Sequence, residues 1–425
     1  MSFENTFCSS PWIHMRITNQ GYYNFCRWET VKYATTPRVH IRDVTPVDFF
    51  QQNMAPIREN IRNGEVLPAC RLCNQMEEYN KVSGRQKQLL KTGIVLNNFE
   101  KTLLASPYYN EFKKTSRSNL MPVDWQVDLG NHCNGACIFC KPQDSSVLAN
   151  EFLKNNLIKD KIPTSWCNDP KLLEKFTDTI IHTPNLKYLH FIGGETLITP
   201  AFKKILKTLI KHNMTDIAIG FTTNLMVWDD EINDLLVQFE TVNLGMSIET
   251  MCRVNDYARY PSKISKVRKL LDRWVKFGKE HNWLTQLRIT PTWITVENID
   301  EVFEYAYTNG LGVESCNFLD SPKFMRMSVL PCNLRDKAIA RLETWINSKP
   351  RQNSTTIINS RHPDTLHQQA LEDATSYMTY LKNAPYEPEL LPELIEFLKV
   401  IEPGRNISIL NYKPHYAEFL RSNGY

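Results

Sequence analysis

The sequence predicts an α/β fold built around a partial (β/α)6 barrel, and three observations predict it. From Pro122 onward, short apolar strand-like segments alternate with amphipathic helical ones, the pattern of a parallel sheet with crossover helices. Three clustered cysteines, Cys133, Cys137 and Cys140, follow directly on the first of these segments. That is the C-terminal strand end, where barrel enzymes build their sites, and it favours a barrel over an open doubly wound sheet. Before Pro122 the texture is different: β-like pieces, two helical runs and four further cysteines suggest a small α+β domain.

The elements follow in order. Trp12–Ile17 and Tyr22–Phe25, separated by Asn19-Gln20-Gly21, read as a hairpin. Val47–Asn63 and Asn74–Thr92 read as helices, interrupted by Leu67-Pro68-Ala69-Cys70. Residues 93–121 lack a steady period and form a connector. Six strands are expected at Trp125–Leu129, Leu186–Ile192, Ile217–Thr222, Val242–Ile248, Gln286–Thr292 and Gly312–Phe318. In the helix Ser262–Glu280, Val267, Leu270, Leu271, Trp274 and Val275 make an apolar stripe with lysines opposite. The last 80 residues, with helical Glu389–Val400, read as a partly helical appendage. The expected domains are 1–92, the linker 93–121, the barrel 122–345 and the appendage 346–425.

Composition narrows the classes. At 425 residues the chain is expected to hold two or three domains. An apolar share of 42% with 23% charged residues is globular, and no apolar run reaches the roughly 18 residues of a membrane span. The start, Met1-Ser2-Phe3-Glu4-Asn5-Thr6, lacks the basic and apolar regions of a secretory signal, so a cytoplasmic location is expected. A net charge of +4 from 50 basic and 46 acidic residues is too weak a bias to argue for nucleic acid or an anionic membrane, and neither is expected as a partner. In a reducing compartment, eleven cysteines point to metal or redox chemistry rather than disulfides. Cys167, Cys252, Cys316 and Cys332 are scattered and read as buried thiols.

The C-x3-C-x2-C run of Cys133, Cys137 and Cys140 supplies three thiolates and withholds a fourth. A structural metal site is normally closed by four protein ligands, whereas a chemical one keeps a position open. Soft thiolates select zinc, copper(I) or iron–sulfur. A zinc site closed by a distant residue, with His132 as neighbour, is the competing reading.

This loop, including Phe139 just before the last cysteine, resembles the signature of the radical SAM enzymes. The resemblance implies a [4Fe-4S] cluster on Cys133, Cys137 and Cys140 whose free iron binds S-adenosylmethionine. It further implies reductive cleavage to a 5′-deoxyadenosyl radical that abstracts a hydrogen atom from substrate, and a TIM-like form of the barrel. Gly193-Gly194-Glu195 is similar to the family's GGE segment, which implies contact with the methionyl amine. Asn224, Ser247 and Glu249 fall at strand ends that in relatives face the cofactor, and Arg259 falls where relatives carry a Tyr-x-Arg segment. Thr196 replaces the proline often found after GGE, and the longer Glu249, with Thr250, replaces Asp-Gly.

Cys8, twelve residues, Gly21, four residues and Cys26, followed by Cys70-x2-Cys73, resembles the auxiliary-cluster modules called SPASM and twitch domains. The flanks Cys8–Trp12 and Glu78 to Arg85 are similar too. This implies one auxiliary iron–sulfur cluster, a [4Fe-4S] centre closed by four thiolates and suited to electron transfer; structural zinc on the same four is the alternative. The resemblance implies a peptide, protein or small-molecule substrate and a reductase or flavodoxin-like electron donor. The rival from another class is a non-catalytic zinc or iron–sulfur binding protein on the same scaffold.

Overall fold

The computed structural model describes residues 7–29, 38–78, 83–86, 121–163, 165–314, 319, 321–350 and 363–425. Nearly all of the expected connector 93–121, most of the second half of the expected helix Asn74–Thr92, and Cys316 lie outside them.

The strands are β1 (His14–Ile17), β2 (Tyr23–Asn24), β3 (Asp124–Asp128), β4 (Tyr188–Ile192), β5 (Ala218–Thr223), β6 (Val242–Ser247), β7 (Leu284–Arg288) and β8 (Gly312–Glu314). The principal helices are α1 (Ala55–Arg62), α2 (Arg71–Glu78), α3 (Ser146–Lys154), α4 (Pro170–Ile181), α5 (Pro200–Lys211) and α6 (Asp230–Leu236). There follow α7 (Val254–Ala258), α8 (Ile264–Glu280), α9 (Ile299–Asn309), α10 (Cys332–Asn347), α11 (Pro363–Asn383), α12 (Leu391–Arg405) and α13 (Ala417–Ser422). Parallel strands joined by crossover helices make this an α/β fold of the partial TIM-like barrel kind, with a helical C-terminal region.

Two compact units divide the chain. The first comprises residues 1–130, 163–221 and 231–242. Here β1 pairs antiparallel with β2 and parallel with β3, which continues parallel to β4 and β5. The strands of β3 alternate strictly: Trp125 and Val127 face α4, where Trp125 meets Phe176 edge-on at 6.1 Å, while Asp124, Gln126 and Asp128 share the other face. That second face is charged and buried. Arg16 of β1 forks onto Asp128 at 3.1 and 2.5 Å, and His14 and Arg27 both reach Asp124 at 3.2 Å. Helix α4 starts on Pro170 with the Asp169 carboxylate accepting from the amides of Lys171 and Leu172, which satisfies two of its orphan donors.

The second unit comprises residues 131–162, 222–230 and 243–425. Within it β6, β7 and β8 run parallel. Helix α8 buries Val267, Leu271, Trp274 and Val275 as its stripe predicts, and Gly278 lets it close on β7: a Cβ there would lie 2.5 Å from the Thr285 methyl.

Four expected elements differ in extent. Trp12 and Ile13 belong to a helical turn, Ser10–Ile13, because Pro11 sits at its first positions, so the hairpin begins at His14. Val47–Asn63 is broken: a turn at Pro46–Asp48 opens into a π-helical turn, Phe49–Asn53, before α1 begins ahead of Pro56. The buried Arg58 guanidinium donates to the carbonyls of Phe50 (2.6 Å) and Pro11 (2.8 Å), and so satisfies groups the irregular turn leaves open. Strand β7 stops at Arg288 rather than Thr292, since Pro291 has no amide to donate and the Thr290 amide turns to a side chain. The expected helix Glu389–Val400 starts at Leu391 and runs on to Arg405, with Pro403 in its last turn and Asn406 closing it at φ +53°.

Candidate functional site

Gly130, at φ +94°, ends the extended run of β3, and the three cysteines follow on a loop between Asn131 and Cys140. The loop has little regular structure of its own, so its shape depends on bonds to neighbours. The Ala136 amide donates to the Tyr260 carbonyl at 2.6 Å and the Ile138 amide to the Ala258 carbonyl at 3.0 Å. Ser145 donates to the Gly135 carbonyl at 2.5 Å and accepts from the Leu148 amide as the N-cap of α3, which joins the loop's middle to its exit. The Cys140 amide closes a tight turn onto the Cys137 carbonyl at 3.0 Å.

These bonds gather the three thiols. All three are half-buried, and Cys140 lies within electrostatic reach of the other two: burial, then Asp144, Cys137 and Cys133, push the Cys140 thiol well above its usual range. Cys137 is raised by burial and pulled back by the Arg259 guanidinium. Cys133 receives the Gly135 amide at 3.4 Å, with the Asn224 amide nitrogen 4.0 Å away. Amide donors aimed at a ligating sulfur favour its thiolate form and set the potential of an iron–sulfur centre. The thiols therefore suit soft metal chemistry, and His132 points into solvent rather than joining them. Among the described residues no group of three or more His, Cys, Asp or Glu side chains stands ready to hold a metal ion.

Five of the expected cofactor contacts share this unit. Phe139 is buried, with the Arg259 guanidinium 5.9 Å from its ring centroid. Arg259 and Glu249 are both buried and bond each other at 2.7 Å, and the second Glu249 oxygen accepts from the Thr290 amide at 2.6 Å. Burial raises Glu249 above the ordinary carboxylate value and Arg259 opposes it. Burial lowers Arg259, but Cys137 and Glu249 outweigh that and hold it above its ordinary value. Asn224 donates to Asn134 Oδ1 at 2.6 Å and accepts from the Met226 amide at 3.0 Å, which ties the end of β5 to the cysteine loop. Ser247 ends β6 and is half-buried. The buried Nε of Arg259 and Oγ1 of Thr222 have no hydrogen-bond partner in the structure, so polar atoms remain open at this end of the unit.

Gly193, Gly194 and Glu195 lie in the other unit, at the end of β4. Gly193 adopts φ +101°, and its close approach is to the chain's own backbone at Leu129 and Gly130. Glu195 is fully buried and accepts from the Leu197 amide at 3.3 Å, capping the short turn Thr196–Ile198.

In the same unit Cys8, Cys26 and the Cys70–Cys73 pair, from three points of the sequence, lie within electrostatic reach of one another. Burial raises Cys8 well above its usual value, and Cys26, Cys70 and Cys73 raise it further. Cys70 is pushed up to about 12 by burial, then by Cys73 and Glu29. The Trp28 amide donates to the Cys26 sulfur at 3.4 Å, and Arg85 lies within electrostatic reach of Cys8 and Cys73 while ion-paired to Glu77.

Sequence reasoning missed the partners that shape the loop: Ser145, Asn134, the Thr290 amide and the carbonyls of Ala258 and Tyr260. Only Ser145, three residues before Leu148 at a helix start, carried a local signal.

No curated protein matches the chain. Among solved structures it is similar to Streptococcus suis SuiB bound to S-adenosylmethionine, at 15% identity and a TM-score of 0.35 over 79% of this chain and 67% of that one. It is also similar to anSMEcpe with bound AdoMet, at 15% identity and a TM-score of 0.38 over 52% of this chain and 61% of that one, so the match spans about three fifths of the latter's length. Residues 127–306 match the family model described as the Radical SAM superfamily, and the three-cysteine loop and every candidate contact that follows it lie within the matched residues.

Proposed function

We propose that this chain is a radical SAM enzyme in which Cys133, Cys137 and Cys140 hold a [4Fe-4S] cluster by three corners. The observation that carries this is the placement of Cys133, Cys137 and Cys140, all half-buried, on one strand-end loop within the matched residues 127–306. When bound, the cluster and S-adenosylmethionine supply reductive cleavage of the sulfonium and abstraction of a hydrogen atom from substrate. The protein's part is to position and shield. Phe139 walls the loop, Arg259 presents a charge held fixed by Glu249, Asn224 orients the first ligating sulfur, and Ser247 completes the expected rim.

Cys8, Cys26, Cys70 and Cys73 fit an auxiliary iron–sulfur cluster, most simply a [4Fe-4S] centre, that accepts or relays an electron. Four thiolates would close every iron, which makes electron transfer the role over direct substrate binding. In this reading residues 1–92 form the twitch/SPASM-like module, 93–121 the linker, 122–345 the radical SAM domain and 346–425 an added helical part. The substrate class is a peptide or protein side chain, by analogy with the maturases that carry such modules, and the reductant a reductase or flavodoxin-like donor. Among the described residues no helix is long and apolar enough to cross a membrane.

The test is anaerobic purification and reconstitution of the full chain. Brown protein with about eight irons, cleaving S-adenosylmethionine when reduced, is expected if each site takes four irons. Substituting Cys133, Cys137 and Cys140 by alanine should halve the iron and abolish cleavage. Colourless protein holding zinc, with no cleavage, would overturn the proposal.

A further inference from the structure

Helix α12 ends in two buried charged residues that connect to both flanks of the cysteine loop. Arg405, almost fully buried, places Nε 2.7 Å and Nη2 2.5 Å from the two carboxylate oxygens of Glu151 on α3, the helix that leaves the loop. Its guanidinium also stacks 4.8 Å from the ring centroid of Tyr260. Tyr260 is the residue whose carbonyl holds the Ala136 amide, two positions after Ala258, which holds Ile138. Glu402, one turn earlier on α12, accepts from the Tyr257 hydroxyl at 2.6 Å, from the Ile409 amide at 2.7 Å and from the Tyr425 hydroxyl. Tyr257 to Tyr260 is thus gripped at both ends by residues from the last 25 positions of the chain.

A fork of two parallel charge-assisted bonds is stiff, and lysine could not reproduce it. The Nη1 atom of Arg405 is buried and makes no hydrogen bond in the structure.

We propose that Arg405 is a positioning residue for the three-cysteine loop: by joining Glu151 to Tyr260 it fixes the strap and the exit helix that together shape the loop, and so makes the C-terminal tail part of the cofactor site. This rests on the reading that Cys133, Cys137 and Cys140 hold the cluster, but the contact network does not depend on it.

The experiment uses the full-length chain with Arg405→Met, Arg405→Lys and, as control on the exposed face of the same helix, Lys399→Met. In metal-free protein, hydrogen exchange of the Ala136 and Ile138 amides should quicken at least about tenfold in Arg405→Met, since breaking a buried ion pair lowers the cost of local opening. Arg405→Lys, which keeps the charge without the fork, should fall between, and Lys399→Met should match the parent. In reconstituted protein, loss of iron to a ferrous chelator should be about tenfold faster in Arg405→Met, as for removal of an outer-shell partner, with altered electron-paramagnetic line positions. Parent-like exchange and iron retention in Arg405→Met would overturn the proposal. Should that variant fail to fold, Glu151→Gln leaves arginine and stacking in place, and parent-like exchange there overturns it equally. Full iron and cleavage in the triple cysteine variant would instead sink the cluster reading while leaving the exchange result standing.

Discussion

Gly193 stands against Gly130 so closely that a Cβ on it would lie 2.5 Å from the Gly130 carbonyl oxygen and 3.0 Å from the Leu129 nitrogen. The Leu129 amide already donates to the Ile192 carbonyl at 2.7 Å, so neither backbone can retreat without breaking the β3–β4 ladder at its functional end. The left-handed φ of +101° adds a second demand for glycine. Gly193→Ala is therefore expected to lower stability by about 1–3 kcal/mol from backbone strain alone. Denaturant unfolding of the metal-free chain measures it. An unchanged midpoint would mean that the strand ends relax freely.

The Arg259–Glu249 pair makes a different prediction, because both partners are buried and one faces a proposed ligand. Arg259→Met leaves the Glu249 carboxyl buried beside only the Thr290 amide, and truncating one partner of such a pair costs about 3–5 kcal/mol. Its pH signature has a definite sign. Freed of the opposing guanidinium, Glu249 should titrate still higher, since burial already pushes it up. A carboxyl raised in the folded state stabilises at low pH and loses that contribution as pH rises through the folded value. The variant's deficit should thus grow from pH 5 to pH 8; a pH-independent deficit would contradict it.

Much of this was legible in the sequence, for identifiable reasons. The strand–helix alternation after Pro122 appears because buried parallel strands need apolar residues on period two and their covering helices need a stripe, and Val267, Leu271, Trp274 and Val275 bury as that stripe requires. The cysteine loop was legible because its spacing is local. What could not be read was long-range. Nothing near Asp128 announces Arg16, 112 positions away, and nothing near Glu151 announces Arg405, 254 positions away. The π-helical turn at Phe49–Asn53 escaped because one extra residue in a helix leaves no trace in composition.

Asn224 offers a test of how the first thiol is tuned. Its amide nitrogen bonds Asn134 and stands 4.0 Å from the Cys133 sulfur, whereas its oxygen is taken by the Met226 amide. Asn224→Asp is nearly isosteric but puts a carboxylate where a donor stood, disfavouring the adjacent thiolate. Iron affinity of the reconstituted site should fall about 10–100-fold, the scale of outer-shell losses. Asn224→Ala should lose less, since it removes the donor without adding charge; chelator competition would rank the two, and the reverse order would refute the tuning role.

The four N-terminal thiols predict a separation of functions. Cys70→Ser should remove the proposed auxiliary centre while sparing the loop at Cys133, so S-adenosylmethionine cleavage should persist as the oxidised product disappears. Equal loss of both would assign Cys8, Cys26, Cys70 and Cys73 to holding the fold.

Glu297 links the second unit to its own tail and carries the clearest acid-side prediction. Its carboxylate accepts from Lys413 at 2.7 Å and from His415 at 2.9 Å, and Lys413 is buried. Burial raises Glu297, but Lys413 and His415 outweigh it and hold the carboxyl below its ordinary value. A carboxyl lowered in the folded state contributes stability above its unfolded value of about 4.3 and loses it as pH falls through the folded one. Glu297→Gln keeps the shape and an acceptor but leaves the buried Lys413 ammonium without a counter-charge, beside the Asn298 Oδ1 it also bonds. It should cost about 3 kcal/mol at pH 7, and the gap from the parent should close progressively as the pH is taken below 4. A gap that stays constant down to pH 3 would mean that the ammonium finds another partner and that Glu297 contributes only its shape.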